Sequence, residues 1–222
     1  MRRVLVLRPE PGAGATVSRA AAFGLEAVAA PLFTIQPIAW SPPTERPDAL
    51  MLTSAHAIRH AGPALMLHRA LPAYAVGSAT AEAAVSAGFP DVRIGPSDAA
   101  ALLAMMARDG IRSALHVAGR EHKEADHPMV RVTRRVVYGA DPVDALPDAA
   151  RAALPDGAMA LLHSPRAAAL FGELVGDHTG IAIAAISPAA AEAAGGGWRA
   201  VVIAERPSDA SLLAAAATFL AG

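Results

Sequence analysis

The sequence has no cysteine, few aromatic residues and no excess of charge of either sign. Without cysteine it can form no disulfide, thiolate nucleophile or cysteine-ligated metal site. Aromatic residues make up only 4% of the 222 residues, which argues against a base-stacking surface for single-stranded nucleic acid. The 19 basic residues are balanced by 20 acidic ones, so no broad basic face for DNA is expected. We expect no nucleic-acid partner, and any bound anion must be held by local geometry.

Long apolar runs are missing as well. The opening segment MRRVLVLRPEP has four apolar residues before Arg8, too few for the core of a signal peptide. No later run approaches the length of a membrane-spanning helix. We therefore expect a cytoplasmic protein without membrane association, and we expect a monomer.

Apolar residues are abundant, at 54% of the chain, and they form short aliphatic runs that alternate with helical stretches. This alternation is typical of parallel α/β architecture. The predicted strands are 4–7, 27–30, 49–52, 73–76, 92–94, 114–117, 158–162, 181–185 and 200–203. The predicted helices are 16–23, 55–60, 79–87, 98–108, 148–154, 165–175, 188–194 and 208–220.

Two further extended segments, 32–40 and 130–139, do not resemble core strands. The second alternates apolar residues with arginines, which fits a half-buried strand better than a buried parallel one, and it could pair with the first. We interpret them as connectors. They would join a first α/β domain, residues 1–37 plus 140–222, to an inserted second α/β domain, residues 41–130. The predicted fold has two lobes, each a parallel sheet flanked by helices, and a cleft between such lobes suits a small ligand.

Small hydroxyl residues stand where several strands end and the next helix begins. The clearest turns are Thr53-Ser54-Ala55, Gly77-Ser78-Ala79-Thr80, Ser164-Pro165-Arg166 and Ser187-Pro188-Ala189, and Ser208 marks a looser fifth. One interpretation is simple capping of free helix N–H groups. The other is a set of anion receptors, because ligands of open parallel sheets bind at the carboxyl ends of the strands and helix N-termini favour anions. Several such turns could hold several carboxylates or phosphates.

Three familiar motifs are incomplete. Gly12-Ala13-Gly14 follows the first strand, but the third glycine of a dinucleotide site and the lysine of a phosphate-binding loop are missing, which counts against a nucleotide-linked enzyme. His163 precedes Ser164, yet neighbours on a strand point to opposite faces and no Gly-x-Ser-x-Gly occurs, which excludes a hydrolase.

Eight histidines raise the question of a metal site. His122 and His127 are the closest group, but their spacing matches no metal-binding motif. Arg120 and Lys123 lie beside them and indicate a solvated loop. We predict no metal and no cofactor.

Tyr138 is one of only two tyrosines. It is either an ordinary amphipathic residue at the end of a connector or, if the connectors form a hinge, a residue whose hydroxyl faces the cleft. A phenol in that position can donate a hydrogen bond to a departing hydroxyl group without a charged acid.

Taken in order, these segments resemble the uroporphyrinogen-III synthase family over nearly the whole chain. The matching pieces are VLVLRP (4–9), AAPLFTIQPI (29–38), LMLTSAHAI (50–58), YAVGSATAEAAVSAGF (74–89), LHVAG (115–119), VVYGADP (136–142), LLHSPRAAALF (161–171), AISPAAAEAA (185–194) and VVIAERPSDASLL (201–213). Each piece is common by itself, and the specificity lies in their order and spacing.

The resemblance implies a cofactor-free hydro-lyase that cyclises hydroxymethylbilane in haem, sirohaem and cobalamin biosynthesis. Loss of water would give an electrophilic azafulvene, and a spiro intermediate would rearrange to invert ring D. Without enzyme the chain closes without inversion, so the protein must hold one substrate geometry. The family binds its substrate largely through main-chain amides. A non-catalytic two-lobed module that binds a small polyanion is the alternative.

The resemblance also implies site residues. Tyr138 matches the tyrosine thought to assist loss of the hydroxyl, and Ser54, Thr80 and Ser164 match hydroxyl positions of the cleft. The full set of expected substrate-binding residues is Arg8, Thr53, Ser54, Ala55, Gly77, Ser78, Thr80, Gly119, Ser164, Pro165, Arg166, Ser187, Ala189 and Ser208. There are departures: His56 stands where asparagine is frequent, and Ala189 and Ala190 stand where hydroxyl residues often occur.

Overall fold

The structure is a computed structural model that describes residues 2–96, 98–122 and 124–222. Its strands are β1 (Arg3–Val6), β2 (Glu26–Ala29), β3 (Phe33–Pro37), β4 (Ala49–Leu52), β5 (Ala73–Val76), β6 (Val92–Gly95), β7 (Ser113–Gly119), β8 (Arg131–Pro142), β9 (Met159–Leu162), β10 (Ala182–Ala185) and β11 (Ala200–Ile203). Its helices are α1 (Gly12–Ala20), α2 (Ala55–His60), α3 (Pro63–Met66), α4 (Gly77–Ser86), α5 (Ala99–Arg108), α6 (Asp148–Ala153), α7 (Pro165–Val175), α8 (Pro188–Ala193) and α9 (Asp209–Phe219).

The chain separates into two compact units. Unit 1 comprises Met1–Thr34 and Asp141–Gly222, and unit 2 comprises Ile35–Ala140. The chain passes from one unit to the other within β3 and again within β8.

Unit 1 contains a five-stranded sheet in the order β11-β10-β9-β1-β2. Every pair in it is parallel, with Val4 opposite Met159 and Ile183 opposite Ala160. β9 and β10 are buried along their full length, because helices cover both faces of a parallel sheet. This explains why four-residue aliphatic runs sufficed to predict these strands.

Unit 2 contains a six-stranded sheet in the order β3-β8-β7-β4-β5-β6. β4, β5, β6 and β7 pair in parallel, as expected for the central strands of an α/β unit. β8 is half-buried, as its alternating sequence indicates, and it nevertheless pairs in parallel with β7. The two segments predicted as connectors are therefore neighbours at one edge of this sheet.

Two helix starts differ from the prediction, and one helix was not predicted. α1 begins at Gly12 and α4 begins at Gly77, both earlier than expected. Gly77 has a φ of 70°, a left-handed conformation that is open mainly to glycine. The chain therefore turns from β5 into α4 at this single residue. The unpredicted helix is α3, where Pro63 occupies the first turn, a position that proline favours.

The core of each unit is built from alanine and branched aliphatic side chains. In unit 2, one cluster on the sheet includes Leu50, Leu52, Leu115 and Val137. Over the described part of the chain, no helix is both long and apolar enough to cross a membrane.

Candidate active site

Four of the predicted site residues meet around one cavity in unit 2. Thr53 and Ser54 follow β4, Gly119 ends β7, and Tyr138 lies in β8. The cavity has a volume of about 290 Å³ and is also lined by Val76, Asp98, Ala99, Glu121 and His122. Because β4 and β7 are parallel neighbours, their carboxyl ends open at the same edge of the sheet.

The Tyr138 ring packs directly on Gly119. A Cβ atom on Gly119 would lie 2.6 Å from Cζ and 2.7 Å from the hydroxyl oxygen of Tyr138, so any side chain there would displace the phenol. The register between β7 and β8 shifts at this point: Ala118 is opposite Val136, but Gly119 is opposite Tyr138. This bulge directs Tyr138 onto the glycine, and bulges of this kind re-aim side chains.

Ser54 holds the hydroxyl of Tyr138. The two hydroxyl oxygens are 3.0 Å apart, and Ser54 Oγ also accepts a hydrogen bond from the backbone N–H of His56 at 3.1 Å. When Ser54 donates its hydrogen to the phenol oxygen, the phenol hydrogen is free for another acceptor. The predicted hydroxyl at this turn therefore orients the tyrosine as well as capping α2.

Two histidine rings pack around Tyr138. The ring centroids of His56 and His60 lie 5.6 and 6.2 Å from that of Tyr138. Burial, and then the positive charge of Arg59, lower the pKa of His60. A neutral ring therefore faces the phenol at neutral pH.

Thr53 is paired with a buried histidine that the sequence analysis missed. Thr53 Oγ1 lies 2.9 Å from Nε2 of His116, a residue of β7 that is only 2% exposed. Burial lowers the pKa of His116 to about 4, and the charges of His122 and Arg134 act in the same direction. His116 is uncharged at neutral pH. A histidine inside the aliphatic run of β7 was the sequence signal that could have identified it.

The loop after β7 is solvated as expected, with Arg120, Glu121 and Glu124 exposed, but His122 itself is half-buried and lines the cavity. Its Nδ1 is 2.9 Å from the carbonyl oxygen of Gly119, and its ring meets the His116 ring edge-on at 5.8 Å. The flanking charges misled the sequence analysis, because a turn after β7 brings the imidazole back to the cavity while Arg120 stays exposed. Lys123 lies outside the described residues.

The turn at 77–80 does not join this cavity among the residues that the structure describes. Val76 occupies the cap position of α4 and has no side chain that could accept an N–H, so the expected hydroxyl cap is wrong here. Ser78 is exposed, whereas Thr80 is buried, with 6% of its surface accessible. Thr80 therefore offers little surface to a ligand.

The capping interpretation is confirmed at the serine turns. Ser54, Ser164, Ser187 and Ser208 each accept a hydrogen bond from a backbone N–H of the helix that follows, namely that of His56, Ala167, Ala190 or Ser211 respectively. At Ser187 the bond occupies the amide of Ala190, which is fully buried. The exposed Ala189 keeps the amide that a ligand could reach at this turn.

In unit 1, the strand ends carry a charged cluster in addition to the capping serines. Asp209, the first residue of α9, accepts hydrogen bonds from Thr16 at 2.9 Å and from His163 Nε2 at 2.8 Å. It also forms an ion pair with Arg19. Burial raises the pKa of Asp209, but the bonds from His163 and Thr16 and the charges of His163 and Arg19 outweigh it and lower the pKa to about 2.

The two predicted arginines of unit 1 are both engaged. Arg8 lies 4.0 Å from the Asp209 carboxylate, and its guanidinium covers Gly12, where a Cβ atom would lie 2.5 Å from Nε. Arg166 stacks on the ring of Phe33 at 4.4 Å from the centroid. Pro165 has no N–H, so the turn at Ser164 offers one donor fewer than its position suggests.

Among residues 2–96, 98–122 and 124–222, no three histidine or acidic side chains are grouped so as to hold a metal ion. The donors around the cavity include hydroxyl, phenol and imidazole groups. Together with the carboxylates of Asp98 and Glu121, such a set can donate and accept protons and bind a polar substrate.

Comparisons with known proteins agree with this arrangement. A family model described as uroporphyrinogen-III synthase HemD matches residues 14–214. The crystal structure of uroporphyrinogen-III synthetase from Helicobacter pylori superposes with a TM-score of 0.69 at 16% identity, covering 98% of this chain and 99% of the other. The wild-type enzyme from Thermus thermophilus covers 99% of this chain and 96% of its own at 18% identity, but its TM-score of 0.39 is too low to bear on the fold. No curated protein matches the sequence significantly.

Proposed function

This chain belongs to the uroporphyrinogen-III synthase family, and we propose that Tyr138 is its catalytic residue, which protonates the departing hydroxyl of hydroxymethylbilane. The activity is that of the family, a cofactor-free lyase of tetrapyrrole biosynthesis. It cyclises the linear tetrapyrrole with loss of water and inversion of ring D. Neither the family match nor the geometry of the described residues favours the non-catalytic binding module.

One observation supports the role of Tyr138 above the others. Its hydroxyl lines the cavity at hydrogen-bond distance from Ser54, which has a hydrogen of its own to donate. The phenol can then direct its proton to a hydroxyl that leaves as water. Positioned proton donors of this kind contribute about 10²–10⁴-fold to the rate.

The size of the cavity indicates which part of the substrate it can hold. Its volume of about 290 Å³ is at the lower end of small-molecule sites, which span roughly 300–1,000 Å³. It can therefore admit the reacting end of a tetrapyrrole rather than the whole chain. In this proposal the hydroxymethyl group enters beside Thr53, Ser54, Gly119 and Tyr138.

We further propose that backbone amides bind the carboxylates of the substrate. In unit 2 these are the amide of Ala55 and those of Gly77 and Ser78, at the start of the ten-residue helix α4, which no side chain caps. In unit 1 they belong to the turns at Ser164, Pro165 and Arg166, at Ser187 and Ala189, and at Ser208. Arg8 would add a guanidinium, the group best matched to a carboxylate. Capping leaves part of each helix N-terminus open, which supports this assignment.

A coupled assay tests the function. Hydroxymethylbilane would be generated in situ, and the cyclised product would be oxidised and separated into isomers I and III. We expect isomer III to form in excess over isomer I, which arises without ring inversion. Isomer I alone, at the rate of the uncatalysed reaction, would contradict the proposed function.

The proposal also covers the cellular location, the oligomeric state and the partners of the enzyme. We propose that the enzyme acts in the cytoplasm as a monomer, and the balanced charge and the low aromatic content support the absence of a nucleic-acid partner. Size-exclusion chromatography with light scattering would measure the oligomeric state directly.

A further inference from the structure

His122 is one of the residues that line the Tyr138 cavity. Its Nδ1 lies 2.9 Å from the Gly119 carbonyl oxygen, and a carbonyl can only accept, so Nδ1 carries the hydrogen. In the neutral ring, Nε2 must then hold a lone pair. That nitrogen is buried and has no hydrogen-bond partner among the described residues. A buried polar atom left unpaired costs about 1–3 kcal/mol, which favours a bound group that supplies a hydrogen.

We propose that His122 is a second catalytic residue, whose Nε2 accepts the pyrrole N–H proton while Tyr138 protonates the leaving hydroxyl. This inference rests on the proposed function, because it takes the hydroxymethyl pyrrole of that reaction as the bound group. It assigns a chemical role to a loop that the sequence analysis left outside the site.

The two proton transfers balance in one step. The C–O bond of the hydroxymethyl group breaks, and the oxygen leaves with the electron pair and takes the phenol hydrogen to become water. The pyrrole N–H bond breaks towards Nε2 of His122, and its electrons form the new double bonds of the azafulvene. The enzyme is left with a phenolate and an imidazolium, and transfer of one proton from the second to the first restores both residues.

The backbone of Gly119 fixes both groups. Its Cα lies beneath the phenol ring, where a Cβ would meet Cζ at 2.6 Å, and its carbonyl oxygen binds Nδ1 of His122. Tyr138 and His122 both line the cavity, and Gly119 thus holds the proposed donor and the proposed acceptor close to each other. A leaving oxygen and a ring nitrogen of one pyrrole need that arrangement.

Several titratable or charged groups surround His122. His116 on β7 meets it edge-on at 5.8 Å, and Tyr138 on β8 lies across Gly119. Asp98 and Glu121 line the same cavity, and the positive charge of Arg134 on β8 helps to lower the pKa of His116. Burial lowers the pKa of His116 to about 4, so it keeps its charge state across the range in which an ordinary histidine titrates.

The test compares His122→Asn with His127→Asn. The asparagine amide can still donate to the Gly119 carbonyl, but it has no group in the place of Nε2. His127 is a matched control, because its Nδ1 only accepts the N–H of Met129, which an asparagine oxygen can also do, and it does not line the cavity. We expect His122→Asn to lower kcat for isomer III by about 10²-fold with little change in KM. His127→Asn should leave both unchanged.

The outcomes separate this inference from the proposed function. Formation of isomer III by His122→Asn at the wild-type rate, or a loss that falls on KM rather than on kcat, would overturn the role of His122 alone. Failure of the wild-type protein to form isomer III would overturn the proposed function and this inference with it. Histidine ¹⁵N NMR on the wild-type protein gives a test that needs no variant. His122 should be the Nδ1–H tautomer at alkaline pH, and an Nε2–H tautomer would contradict the proton-acceptor role.

Discussion

The two units use the same strand-to-helix construction, but the chemistry at their strand ends differs. In unit 2 the Tyr138 cluster, formed by Thr53, Ser54, Gly119, His122 and Tyr138, contains hydroxyl, phenol and imidazole groups around a cavity. In unit 1 the Asp209 cluster, formed by Arg8, Thr16, Arg19, His163 and Asp209, centres on a carboxylate with a low pKa. The first can exchange protons, whereas the second is locked as ion pairs and hydrogen bonds.

This difference indicates what each cluster does. At the Tyr138 cluster, His60 packs against the phenol and His116 bonds to Thr53, and both histidines favour their neutral forms. A carboxylate held by three donors is well suited to fixing the start of a helix against neighbouring strands. We therefore expect changes in the Tyr138 cluster to act on turnover, and changes in the Asp209 cluster to act on stability.

Tyr138→Phe should have the largest effect. Removing the hydroxyl deletes the proposed proton donor but keeps the ring on Gly119, so kcat should fall by about 10²–10³-fold while the protein stays folded. The ratio of kcat values for isomer III, together with thermal unfolding, measures this.

Tyr74→Phe is the matched control, since Tyr74 is the other tyrosine. Its hydroxyl donates to Asp109 at 2.8 Å, away from the cavity lining, and burial raises its pKa to about 12. This variant should keep its turnover and lose only about 1–2 kcal/mol of unfolding free energy. Equal turnover in the two variants would remove Tyr138 from the mechanism.

Gly119→Ala should rank second. The new Cβ would overlap the phenol ring, so the ring must move, and a shift of about 1 Å can cost on the order of 10²-fold in rate. Gly139→Ala is the control on the next strand, because its Cβ would meet only the Arg120 guanidinium, at 2.9 Å from Cζ, and a long side chain can move away. Steady-state kinetics on both variants should show a loss of kcat only for Gly119→Ala. A similar loss in both variants would mean that general backbone strain, and not the displacement of the Tyr138 ring, lowers the rate.

Asp209→Asn tests the other side of the comparison. The native pKa of about 2, against 3.8 for an ordinary aspartate, corresponds to roughly 2 kcal/mol of stability. Because the pKa is lowered by folding, this contribution is complete above about pH 4 and is lost as the pH falls through 2. Denaturant unfolding at pH 7 and at several values below 4 should show the wild type and the variant converging. A difference that stays constant with pH would contradict the ion-pair account.

Ser164→Ala and Ser78→Ala should give the smallest effects. Ser164 caps α7 through the amide of Ala167, so its loss should cost about 1 kcal/mol of unfolding free energy. Ser78 does not cap α4, and its replacement should leave stability within about 0.5 kcal/mol of the wild type. Thermal unfolding compares them, and equal destabilisation would show that Ser78 also contributes to helix capping.

Most of the secondary structure could be predicted from the pattern alone. β4, β5, β11, α2 and α7 have the predicted bounds, because aliphatic runs flanked by serine or proline leave few other solutions. The starts of α1 and α4 could not be predicted, since they depend on how glycine and alanine turns close. The polar edge of β8 was recognised, but its parallel pairing with β7 depends on which strand lies beside it.

The sequence by itself determined the two α/β segments, the serine caps and the presence of a rare tyrosine in a family-like order, because these depend on local periodicity and on residue type. Only the tertiary structure decided that Tyr138 lies on Gly119 and that His122 belongs to the same cavity. The physical reason is that both contacts depend on a register shift between β7 and β8 and on a turn after β7. A one-residue change of register moves a side chain to the other face of a sheet, and neighbouring letters of the sequence do not specify it.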